Sequence, residues 1–157
     1  MSRLAIDLGT KCGYAWSAAD GGVVSGTWDL RPKKFEGGGF RYVKFESFLA
    51  SLHAAHPIEM VWFEAVRRHA GTDAAHVYGG LLATLQRFCD SRGIPYEGIP
   101  VQTIKKEWTG KGNAKKDAMI DECLRRGFEP ADDNEADAIA ILCIKHPGVR
   151  NTTQNSR

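Results

Sequence analysis

Arg3-Leu4-Ala5-Ile6-Asp7-Leu8-Gly9-Thr10-Lys11-Cys12-Gly13-Tyr14-Ala15-Trp16 stands near the start of the sequence. Leu4 to Leu8 is a short apolar run, interrupted by one carboxylate and bounded by glycine, the pattern of a strand buried on both faces. An ionised Asp inside such a strand is costly to desolvate unless it is paired or holds a metal. Asp7 therefore requires partners from elsewhere in the chain.

Composition narrows where to look. The 157 residues, 43% apolar and 25% charged, are those of one folded domain rather than a disordered or membrane-spanning chain. No run reaches the roughly 18 apolar residues of a membrane span. There is no basic leader with a cleavage site, so a signal peptide is not expected. Cys12, Cys89, Cys123 and Cys143 form no CxxC pair, which argues against a disulfide framework or zinc ribbon and for a reduced, cytoplasmic setting. Cys143 and His146 have a ligand-like spacing, but structural zinc takes four ligands. Net charge is only +2, yet Lys105, Lys106, Lys111, Lys115 and Lys116 face a single acid, Glu107, in the same stretch. That is a local basic patch.

Read in order, Gly13–Ala19 and Val23–Leu30 form two further strands around Asp20-Gly21-Gly22, whose glycines suit a tight hairpin. Trp16 and Trp28 are placed to face each other across it. A helix over Phe40–Ala55 presents Val43, Phe48, Leu49 and Leu52. Ile58–Glu64 is a buried strand ending in a carboxylate, followed by a polar loop bearing Arg67, Arg68 and His69. A helix over Ala74–Ser91 carries the stripe Val77, Leu81, Leu82, Leu85 and Phe88. Gly79-Gly80 inside it mark either a weak point or the close approach of another backbone. A short edge strand falls within Gly93–Pro100, a helix or turn over Gln102–Trp108, and helices over Ala114–Arg126 and Asp133–Lys145, the last ended by Pro147.

Three acids stand out: Asp7 in the first strand, Glu64 at the end of the fourth, and Asp137 in an otherwise small and apolar helix stretch. Asp137 shares a helix face with Asn134 and Asp133. Asp132 and Glu135 have the spacing of a capping box. Carboxylates without Cys or His company suit hard cations, Mg²⁺ or Mn²⁺. A pair of such ions, with a basic patch nearby, fits hydrolysis of a nucleic-acid phosphodiester.

The ordered set Ile6-Asp7-Leu8-Gly9-Thr10, Phe63-Glu64, Gln102 to Lys106, Thr109 to Lys116 and Glu135 to Ala140 resembles the RuvC Holliday-junction resolvases, most of all the compact RuvC-type enzymes carried by bacteriophages. The likeness runs from Arg3 to about His146. It implies an α/β, RNase H-like fold, a five-stranded mixed β-sheet flanked by α-helices. It also implies a homodimer that nicks opposing strands of four-way junctions and other branched DNA in recombination and repair, without a membrane partner. Residues 1–148 would be the nuclease domain and 149–157 a polar, flexible tail.

On this resemblance Asp7, Glu64 and Asp137 match three of four metal ligands for two Mg²⁺ or Mn²⁺ ions, and Lys116 joins them as a catalytic residue. Asn134 occupies the fourth ligand position, where relatives have Asp or His; an amide oxygen is the weaker ligand, and Asp133 is placed to substitute. Lys105 and Lys116 match basic positions near the scissile phosphate, while Lys106, Lys111, Lys115, Arg67, Arg68 and His69 are expected to contact DNA. Relatives carry an aromatic residue shortly after the strand-end Glu. Here Ala65-Val66-Arg67-Arg68-His69 has none, so broader branched-DNA cleavage with weaker sequence preference is expected.

Asp7-Leu8-Gly9-Thr10 is also the phosphate-binding signature of the actin, sugar-kinase and heat-shock ATPase group. That fold needs two lobes and a distant second loop, which 157 residues cannot supply. A non-catalytic branched-DNA-binding module and a nuclease for RNA–DNA hybrids are the remaining alternatives.

Overall fold

A computed structural model describes residues 2–151. Five strands, β1 (Ser2–Asp7), β2 (Lys11–Ser17), β3 (Val23–Asp29), β4 (Ile58–Ala65) and β5 (Tyr96–Pro100), form one mixed sheet in the order β3-β2-β1-β4-β5. β1, β2 and β3 make an antiparallel meander; β4 and β5 extend it in parallel from β1. Parallel addition requires crossovers, supplied by the helices α1 (Phe40–Ala55) and α2 (Thr72–Asp90). Three more helices follow: α3 (Val101–Thr109), α4 (Lys116–Arg125) and α5 (Asp133–Lys145). This is the RNase H-like fold.

Strand alternation divides the core in two. Leu4, Ile6, Val61 and Phe63 point to one face, where they pack with Phe45 and Leu49 of α1 and with Leu81, Leu85 and Phe88 of α2. Ala5, Ala15 and Trp62 point to the other, against Ile104 and Trp108 of α3, Met119 of α4 and the Ala136–Leu142 run of α5. By the same period-2 alternation Asp7 and Glu64 belong to the α5 face. A small alanine opposite a small-residue helix lets α5 lie close over β1 and β2.

Several local expectations need correction. Trp16 and Trp28 do not meet: Trp28 is paired with Cys12 and stacks between Tyr14 (4.5 Å) and Phe48 (5.0 Å), whereas Trp16 lies against His56. The three-residue loop Ala19-Asp20-Gly21, closed by the Ala18 N–H donating to the Gly22 carbonyl (2.7 Å), sets that register. In the turn, Gly21 alone has positive φ, 82°, and the Gly22 N–H donates to Asp20. On α1 the stripe runs through Phe45, Leu49 and Leu52, so the expected Leu49 and Leu52 face the core while Val43 and Phe48 are exposed. On α2 Tyr78 is buried more fully than Val77. Of the paired glycines, Gly80 makes the close approach: a Cβ there would sit 2.4 Å from the Tyr42 ring, a side chain rather than a backbone, whereas Gly79 faces open space. Residues 102–108 are helical, and α4 starts only at Lys116, with Lys115 as its N-cap.

Of the expected tail, Val149 packs against the α5-side core and Arg150 exchanges backbone hydrogen bonds with Gly21 and Val23. Residues 152–157 lie outside the described residues. Among the described residues no helix is long and apolar enough to cross a membrane.

Candidate active site

Asp7, Glu64 and Asp137 converge at the C-terminal ends of β1 and β4, each offering a carboxylate oxygen within 4.8 Å of the others. Asp7 and Glu64 arrive there because β1 and β4 are parallel neighbours, with Ile6 opposite Phe63. Asp137 arrives because α5 crosses that end of the sheet. The crossing is built from named contacts. Gly13 lies directly beneath the first turn of α5, where a Cβ would come within 1.9 Å of the Asn134 carbonyl oxygen. Asp132 caps the helix, accepting from the Glu135 N–H (2.8 Å) and from the Thr27 hydroxyl (2.9 Å). The buried Glu135 carboxylate accepts from the Ala131 N–H and from the Ser25 hydroxyl, both at 2.8 Å. The capping box thus also fastens α5 to β3, which satisfies an otherwise costly buried charge.

Glu64 is held from the opposite face. The Tyr78 hydroxyl donates to the Glu64 carbonyl (2.8 Å) and accepts from the Val66 N–H (3.1 Å), which fixes the strand exit. Tyr78 and Gly13 were not singled out from sequence as site residues. A glycine inside a strand is the available signal for Gly13; Tyr78 has none, since its role depends on α2 lying behind β4.

Electrostatics mark the acid cluster as short of positive charge. Burial raises the Asp7 carboxyl well above the usual range, and the charges of Glu64 and Asp137, a hydrogen bond with Glu64 and the charge of Asp133 push it further. Burial also raises Glu64, opposed by its hydrogen bond with Asp7 and by Lys105. Asp137 is pushed up to about 7 by burial and by the charges of Glu64 and Asp133, with Lys105 and Lys116 opposing. An all-oxygen set of three mutually repelling carboxylates suits a hard divalent cation. The donor set fits.

The other expected site residues distribute as follows. Lys105 and Lys116 lie close enough to act electrostatically on the acids. Lys116 is 80% exposed and pairs with Asp133 at 3.3 Å. Asp133 and Asn134 lie in the first turn of α5, and Asp133 is outside the close triad. Lys106, Lys111 and Lys115 are solvent-exposed on α3 and the α3–α4 loop, as are Arg67 and Arg68 after β4. His69 is half-buried against the Tyr78 ring, 4.8 Å between centroids. A cleft of about 660 Å³ lies at the opposite end of the sheet around Gly21, Phe128 and Val149, and none of the acids lines it.

The sheet has the RNase H-like order, with three acids gathered at the ends of its central strands and over them. Among solved structures, the chain is similar to Thermus thermophilus RuvC bound to a Holliday junction substrate, at 19% identity, TM-score 0.74, covering 92% of both chains. It is likewise similar to a further Thermus thermophilus RuvC structure (22% identity, TM-score 0.67, 92% of both chains). The yeast mitochondrial Holliday junction resolvase Ydc2 also matches (15% identity, TM-score 0.62, 90% of this chain and 76% of that one). No protein-family model and no curated protein sequence matches the chain. The likeness is therefore one of fold.

Proposed function

We propose that the chain is a divalent-metal-dependent endonuclease that nicks four-way DNA junctions and other branched DNA as a homodimer, by two-metal-ion hydrolysis of the phosphodiester. The observation that carries this reading is the convergence of Asp7, Glu64 and Asp137 within 4.8 Å on a fold shared with junction resolvases. These three residues would hold the ions, with Asp133 or Asn134 completing the site from one helical turn earlier. Bound Mg²⁺ or Mn²⁺ supplies Lewis-acid neutralisation of phosphate charge and acidifies water. The chain's own contribution is placement: Gly13 and the Ser25/Thr27 clamp fix α5, and Tyr78 fixes the exit of β4. Lys105 and Lys116 set positive charge beside the acids, where a phosphodiester's non-bridging oxygens need it. Lys106, Lys111, Lys115, Arg67 and Arg68 are free to reach flanking phosphates, and arginine planes also stack on unpaired bases.

The test is a labelled four-way junction incubated with Mg²⁺, with Mn²⁺ and with EDTA, beside an RNA–DNA hybrid. Metal-dependent paired nicks in the junction are expected. Junction binding without nicks in either metal would overturn the enzyme reading in favour of a non-catalytic module, the alternative that an amide at Asn134 leaves open. Preferential cutting of the hybrid would assign a different substrate to the same site.

A further inference from the structure

We propose that the segment from Lys33 to Arg41, between β3 and α1, is a second DNA-binding arm, with Phe35 stacking on a base and Lys33, Lys34 and Arg41 taking the flanking phosphates. The inference rests on the nuclease reading and extends it to residues outside the acid site and the 105–116 lysines.

Position comes first. β3 ends opposite Lys11, and the Leu30 N–H donates to the Thr10 carbonyl (2.8 Å). The segment therefore leaves the sheet at the end where Asp7 sits opposite Gly13. The 105–116 lysines approach that end from the β5 edge, so the acids lie between two basic stretches.

Charge comes second. Residues 29–44 hold Arg31, Lys33, Lys34, Arg41 and Lys44 against Asp29 and Glu36, a local excess larger than the +2 of the whole chain. Arg31 is paired with Asp29, and Lys44 with Glu36. Lys33, Lys34 and Arg41 have no salt bridge among the described residues, and the Arg41 Nε is buried with no hydrogen-bond partner. A buried donor without an acceptor is costly, and a turn of the guanidinium outward to a phosphate oxygen would relieve that cost.

The aromatic ring is the third observation. Phe35 is 94% exposed, the most exposed of the large apolar side chains, with the Lys34 Nζ 5.5 Å from its ring centre. An exposed ring with a lysine over one face presents its other face for stacking on nucleic acid and makes a poor fit to an apolar protein groove. Gly37, Gly38 and Gly39 follow. None has positive φ, and a Cβ at any of them meets nothing within 4 Å. The fold itself does not demand glycine there, whereas close approach of a ligand does.

The experiment measures binding of full-length variants to a fluorescein-labelled four-way junction in EDTA, by anisotropy between 50 and 200 mM salt. Lys33→Ala/Lys34→Ala is expected to weaken binding and to lower the salt slope by about 2, near 0.9 per lost phosphate contact. Phe35→Ala is expected to weaken binding by roughly 5- to 100-fold at unchanged salt slope, and Phe35→Trp to restore it. If the unmodified chain binds and these variants bind equally well, the arm is overturned while the nuclease reading stands. A change in oligomeric state on Phe35→Ala, with DNA affinity unaltered, would assign the surface to a second protein copy and also overturn it. Failure of the unmodified chain to bind any branched DNA overturns both.

Discussion

Asp7 and Glu64 are neighbouring carboxylates that repel each other across parallel strands, and removing one charge relieves that repulsion as well as removing a metal ligand. Asp7→Asn and Glu64→Gln are therefore expected to reduce junction cleavage below detection while leaving junction affinity unchanged or tighter, read in parallel by gel and anisotropy. Wild-type cleavage rates in either variant would place the chemistry elsewhere. Lys116 differs from these acids: it is exposed, and its one ion pair, with Asp133, is weak in water. Lys116→Ala is expected to slow cleavage by roughly 10²-fold, the scale of losing one charge-stabilising group. A loss of affinity with unchanged single-turnover rate would demote it to a backbone contact.

At the scale of elements, the site depends on how closely α5 approaches β2. Gly13 makes that approach possible, since any Cβ would collide with the Asn134 backbone. Gly13→Ala must push the first turn of α5 outward, and Asp137 moves with it. The expected cost is about 1–3 kcal/mol, typical of overpacking, with cleavage falling more than stability alone explains. Gly79→Ala is the matched control: it is exposed, helical and unobstructed, and is expected to stabilise by up to about 1 kcal/mol. Equal effects of the two in denaturant unfolding and in cleavage would refute the role given to Gly13. The expected α4–α5 side was well legible, because capping at Asp132 and the stop at Pro147 are local signals. The faces of α1 and α2 were less so, since which apolar residue turns inward depends on the helix across from it.

For the whole molecule, the raised carboxyls make stability depend on pH in a definite direction. An acid whose folded pKa exceeds its unfolded value binds more protons when folded, so stability falls as pH rises between them. For Asp137 that window runs from about 4 to about 7. Asp29 and Glu122 are shifted downward by their arginine partners and lose stability only as pH falls below about 4. His146, lowered by burial, opposes Asp137 as pH falls through its own range, so the comparison is with Asp137→Asn. In EDTA the unmodified chain is expected to lose more Tm than this variant between pH 5 and pH 8. Mg²⁺ is expected to restore Tm at pH 8 in the unmodified chain, by mass action on the folded state, and to do little in the variant. A flat difference between the two proteins across that range would show that Asp137 is not held in a charge-poor cluster.

The linear order of residues determined the strands, most helix bounds and an Asp placed inside a doubly buried strand, because alternation, caps and breakers act within a few residues. It also supplied the three acids as candidates, through their positions in or at the end of buried strands and in an apolar helix, with a resemblance spread over the chain adding their roles. Sheet order alone decided that Asp7 and Glu64 sit side by side, and the seating of α5 on Gly13 decided that Asp137 reaches them. Register decided that Trp28 meets Tyr14 instead of Trp16, and the packing of α2 behind β4 made Tyr78 a prop for Glu64. Those outcomes depend on contacts between segments distant in sequence, whose geometry no local pattern encodes.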